Sequence, residues 1–101
     1  MNPVVHFEMP YRDRDRAANF YGEAFGWVSQ ELGEEMGNYL LVTTAIKDAH
    51  PNAVAGSING GLFPYKLDCP DQHPSVVIGV TDIHIAMEKI RAAGGEVLGQ
   101  P

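Results

Sequence analysis

The sequence predicts an α+β fold in which a strand–helix–strand unit is used twice, and three observations carry that prediction. Residues 4–9 alternate apolar and polar side chains, residues 17–25 repeat with a helical period, and the cap, stripe and stop of that helix recur 69 residues later. Within residues 4–9, Val5, Phe7 and Met9 share one face, and Val4, His6 and Glu8 share the other. That is a strand with one face for a core and one for something polar. Pro10 is expected to end it.

The helix follows. Ala17, Phe20, Tyr21, Ala24 and Phe25 form its apolar stripe. Asp13 or Asp15 is placed to cap its first amide hydrogens, and Gly26 to stop it in the left-handed conformation. Strands are expected at 27–32, 39–44 and 57–63, with an acidic turn holding Glu34 and Glu35 and a loop over 47–56. In the last of these strands, Gly60-Gly61 points to a bulge or to the close approach of another group. Residues 64–74 are proline-rich without a period and read as a linker.

The second unit starts with Val76, Ile78 and Val80 in alternation. Asp82 caps a helix with Ile83, Ala86, Met87 and Ile90 on one stripe, Gly94-Gly95 stops it, and Val97-Leu98 opens another strand. Asp13 corresponds to Asp82, Ala17 to Ala86, Gly26 to Gly95 and Val28 to Val97. Cap, stripe and stop stay in register, as a duplicated unit requires.

Length and charge narrow the function. A chain of 101 residues is one domain, spanning 1–101. With 7 basic and 13 acidic residues, a net charge of −6 and no basic stripe, nucleic acid is disfavoured as a partner. No apolar run approaches the roughly 20 residues that span a bilayer, so no membrane role is expected. The single cysteine, Cys69, cannot form an internal disulfide, and a reducing, cytoplasmic setting is expected.

Several stretches together resemble a known family. They are Val5-His6-Phe7-Glu8, Asp13, Phe20-Tyr21, Phe25-Gly26-Trp27 and Asn59-Gly60-Gly61-Leu62, then Val80-Thr81-Asp82 and Ala92-Ala93-Gly94-Gly95. In order and spacing they are similar to the vicinal oxygen chelate superfamily, which holds glyoxalases, bleomycin resistance proteins and extradiol dioxygenases. The resemblance implies paired βαβββ modules, each curling its sheet around half of a cavity. On that reading, 4–63 is a complete module, 64–74 a linker and 75–101 a partial second module. The shortfall is on the order of 30 residues.

His6 and Glu8 are the sharpest candidates. They lie about 7 Å apart on the strand face opposite the core, where an imidazole and a carboxylate can meet a metal or a substrate proton. The resemblance puts His6 where metal-using members carry a first-strand histidine. The rest of such a site is missing: the repeat pairs His6 with Ser75, and residues 59–62 hold no carboxylate. Zinc or iron normally takes about three protein ligands. The expectation is therefore no cofactor, with Zn, Ni, Fe or Mn as the alternative.

The remaining residues expected on that face are Ser75, Val77 and Gly79 on the second unit's first strand and Asn59, Gly61 and Phe63 on the strand at 57–63. On the strand at 39–44 either Tyr39, Leu41 and Thr43 or Asn38, Leu40 and Val42 face inward, and Tyr39 and Leu41 are taken as the ligand-facing pair. This set suits a largely apolar pocket with a few polar anchors for a small organic molecule. The alternative function is a divalent-metal-dependent lyase, related to lactoylglutathione lyase, or a dioxygenase, using His6 and Glu8. A second unit that stops at Pro101 leaves sheet edges open, and a two-fold homodimer is expected to cover them.

Overall fold

The computed structural model describes residues 1–45, 56–69 and 71–101. The loop expected at 47–56, with His50, lies outside the described residues except for Gly56. The elements run β1 (Val4–Tyr11), α1 (Arg14–Phe25), β2 (Val28–Glu31), a single 3-10 turn (Glu34–Met36), β3 (Leu40–Thr43), β4 (Asn59–Pro64), β5 (Ser75–Ile78) and α2 (Ile83–Ala92). The five strands form one mixed sheet in the order β2-β3-β4-β1-β5. β1 lies parallel to β4 and antiparallel to β5, and the other pairs are antiparallel. The class is α+β, and the first five principal elements follow the order strand, helix, strand, strand, strand.

Asp13 caps α1 by accepting from the Arg16 N–H at 3.1 Å, and Gly26 ends the helix at φ 73°. Asp82 caps α2 in the same way, accepting from His84 and Ile85 N–H at 2.9 and 3.2 Å. At the end of α2 it is Gly94, at φ 94°, that takes the left-handed conformation, rather than its neighbour Gly95. The core is small. Leu40, Val42 and Leu62 are buried on the helix side of the sheet, with Phe7, Met9, Tyr11, Ala17, Ala18, Tyr21 and Trp27 packed against them. Trp27 stacks on Tyr21 at 4.7 Å between ring centres, so it is a packing residue.

Four expectations require correction. β1 does not stop at Pro10 but runs on to Tyr11. The Tyr11 carbonyl accepts from Tyr65 N–H on the β4 side, so Pro10 points its nitrogen toward the β5 side, beyond the last pair, Glu8 with Ser75. No ladder bond is lost there, which is where a strand tolerates proline. Second, the α1 stripe is rotated toward Ala18. Phe20 and Phe25 are mostly exposed and meet Tyr21 at the helix border instead of entering the core. Third, Val5 is not under a helix but partly exposed beside Gly79. Fourth, Val97-Leu98 form no strand. An extended segment needs a neighbouring ladder, and among the described residues none lies alongside.

β5 and α2 carry apolar side chains that the fold leaves uncovered. Val76 and Ile78 are 60% and 55% exposed, and Ile83 and Ile90 of the α2 stripe are nearly half exposed. A depression of about 480 Å³ lies along Ile78, Val80, Ile83, Ala86 and Ile90.

Candidate functional site

Strand register assembles the site. Core residues Leu40, Val42 and Leu62 occupy the helix side of β3 and β4, so their alternate neighbours occupy the other face. Gly61 stands between Glu8 of β1 and Leu41 of β3, Asn59 lies beside His6, and Val77 and Ser75 of β5 lie beside His6 and Glu8. One face thus carries His6, Glu8, Leu41, Asn59, Gly61, Phe63, Ser75 and Val77. The choice left open for β3 resolves toward Tyr39, Leu41 and Thr43.

Tyr39 joins this face into a site. Its hydroxyl donates to Glu8 Oε2 at 2.9 Å and lies 2.8 Å from His6 Nε2. Since its one proton goes to Glu8, its oxygen accepts, and His6 Nε2–H is the donor in this assignment. The result is a chain from imidazole to phenol to carboxylate that ties β1 to the start of β3 across β4. Burial, then the hydrogen bond to Glu8 and that carboxylate's charge, push Tyr39 ionisation above its ordinary value of 10.0, so the phenol stays protonated.

The backbone clamps Tyr39 on both sides. Asn38 takes a left-handed φ of 55°, and its carbonyl accepts from the Tyr11 hydroxyl at 2.8 Å. The Tyr39 carbonyl accepts from Leu32 N–H at 2.9 Å. Gly61 supplies the space: a β-carbon there would stand 2.1 Å from the Tyr39 ring. The two glycines therefore mark close approaches, Gly60 to the Phe7 ring and Gly61 to the Tyr39 ring, and the β4 register runs through both without a bulge.

A cavity of about 390 Å³ opens beside Glu8 and Tyr39, lined further by Met36, Phe63 and Pro64, with Lys66 at its rim. Met36, on the 3-10 turn, gave no sequence signal. Asn59, expected as a polar anchor, is occupied otherwise: its Oδ1 accepts from Thr44 and Ala45 N–H at 2.8 and 3.0 Å. His73 and His84 do not line this cavity. A somewhat larger depression, about 460 Å³, lies around Arg12, Arg16, Phe20 and Tyr21 and holds none of the three linked side chains.

The resemblance to metal-using proteins can be tested on the donors present. Among the described residues no three His, Cys, Asp or Glu side chains gather where one cation could reach them. Beside His6 and Glu8 stand Val77, Ser75, Asn59 and Gly61, and none of these is a carboxylate, imidazole or thiolate. The described residues around His6 and Glu8 therefore offer two such ligands, short of the three that zinc or iron normally takes.

Residues 4–45 match the family described as bleomycin resistance protein-like N-terminal. The matched stretch runs from β1 through β3 and contains His6, Glu8 and Tyr39. No curated protein matches the chain. No helix among the described residues is long and apolar enough to cross a membrane.

Proposed function

We propose that the chain, whose residues 4–45 match the bleomycin resistance protein-like N-terminal family, is a member of the vicinal oxygen chelate superfamily that binds a small organic molecule on the sheet face opposite α1, without a metal. The observation that carries this reading is the His6–Tyr39–Glu8 chain at the edge of a cavity lined by Phe63 and Met36. Apolar walls with a few converging polar groups are what a small ligand needs. Glu8 and the net charge of −6 favour a ligand with a cationic or hydrogen-bond-donating group on an apolar body. Cys69, exposed and free, fits a cytoplasmic setting.

Calorimetric titration with bleomycin and with small aromatic amines, in the presence of a chelator, tests the reading. Saturable binding is expected, weakened about tenfold or more by Glu8→Gln, because a hydrogen bond to a charged group contributes roughly 1.5–3 kcal/mol. Binding that disappears in chelator would favour the metal-dependent lyase or dioxygenase alternative. Binding indifferent to both Glu8→Gln and His6→Ala would move the site elsewhere.

We also propose a homodimer that covers the free edge of β5 and the exposed side chains of Val76, Ile78, Ile83 and Ile90. An open edge flanked by apolar residues recruits another strand, and a stable interface takes more than roughly 1,000 Å² in total. Light scattering at tens of micromolar should report twice the chain mass, and Val76→Lys should return it to a monomer. A monomeric parent protein would end this proposal.

A further inference from the structure

We propose that the Tyr39 hydroxyl stands in the place a divalent cation would need between His6 and Glu8, so that a phenol holds the pair together and closes it to metal. The inference deepens the metal-free reading above and rests on it. The hydroxyl oxygen is 2.8 Å from His6 Nε2 and 2.9 Å from Glu8 Oε2. A zinc ion would bind the same two atoms at about 2.0–2.2 Å, using the same nitrogen and oxygen lone pairs. With the phenol proton assigned to Glu8, that nitrogen is the donor and that oxygen accepts. A cation must therefore shift His6 to its other tautomer and expel the phenol.

Displacing the phenol breaks its hydrogen bonds to both His6 and Glu8. The Asn38 carbonyl before Tyr39 accepts from the Tyr11 hydroxyl, the Tyr39 carbonyl accepts from Leu32 N–H, and its ring lies over the bare α-carbon of Gly61. In return the cation would gain one imidazole and one carboxylate, with Ser75 and Asn59 the nearest other polar side chains on the neighbouring strands. Gly61 is thus the residue that makes the closure possible, since any side chain there competes with the ring for one space.

The test is zinc titration near neutral pH of the wild-type chain, Tyr39→Phe, Tyr39→Ala, and each with His6→Ala added. Tyr39→Phe removes the hydroxyl and keeps the ring, so it guards against loss of fold, which far-UV circular dichroism checks. The wild-type chain should bind zinc no better than His6→Ala alone. The Tyr39 variants should gain weak one-to-one zinc binding, through two protein ligands and water, that the added His6→Ala abolishes. Nitrogen chemical shifts should show the wild-type His6 proton on Nε2, and Tyr39→Phe should disturb that preference. A wild-type zinc site that His6→Ala removes would overturn the proposal. So would folded Tyr39 variants, both of them, that gain no zinc site. The ligand titrations are run in chelator, so failure here leaves the organic-ligand reading standing, and failure there leaves this one.

Discussion

Leu62→Ala is expected to lower the free energy of unfolding by about 3 kcal/mol, within the roughly 2–5 kcal/mol range for leucine truncation in a core. Leu62 is 1% exposed, and among the described residues only Leu40 and Val42 are comparably buried hydrophobics. A domain has only about 5–15 kcal/mol in all, and one with so few buried side chains belongs toward the low end. Urea denaturation should show a clear drop in midpoint with little change in slope. A loss under about 1 kcal/mol would mean that stability resides outside the β3–β4–α1 contact.

Gly60→Ala and Gly61→Ala should part company, although the glycines are neighbours. A β-carbon on Gly60 meets Phe7 at 2.5–2.6 Å, including the ring carbon nearest the backbone, and Phe7 is itself packed on Trp27. The ring has nowhere to go, and overpacking of this kind costs about 1–3 kcal/mol. A β-carbon on Gly61 meets the outer half of the Tyr39 ring, which can swing toward solvent. Gly61→Ala should therefore keep most of the stability and break the link between His6 and Glu8. Thermal unfolding separates the first effect, and the His6 nitrogen shifts report the second. Equal destabilisation by both would show that the Tyr39 ring is as firmly packed as Phe7.

What could be read from the sequence was local. Alternation alone put His6 and Glu8 on one face, because side-chain direction in a strand has a period of two. Asp13 and Asp82 announced their caps for the same reason, since a cap is a matter of three or four residues. The partnership of Tyr39 with His6 and Glu8 was not legible, because it spans more than thirty positions and depends on β3, β4 and β1 lying in one register. A signal did exist. Gly61 sits in an interior strand where a side chain is normally wanted, and its absence marks a large neighbour crossing over. The rotation of the α1 stripe escaped for another reason: Ala18 and Phe20 both fit a helical period, and only the seating of α1 on the sheet decides which of them meets the core. Val97-Leu98 had the composition of a strand, but composition does not supply a partner.

The parallel pairing of β1 with β4 also bears on how the chain is made. β1 lies between β4 and β5, and both arrive late, the first of them after more than half of the sequence. As the polypeptide leaves the ribosome, α1 and the β2–β3 hairpin can form from near neighbours. β1 can only wait, its Phe7 and Met9 in water and its backbone groups without a ladder. Closing a loop of that length is slow compared with local structure. The strand that carries His6 and Glu8 is therefore made before both of its neighbours and secured only after they arrive.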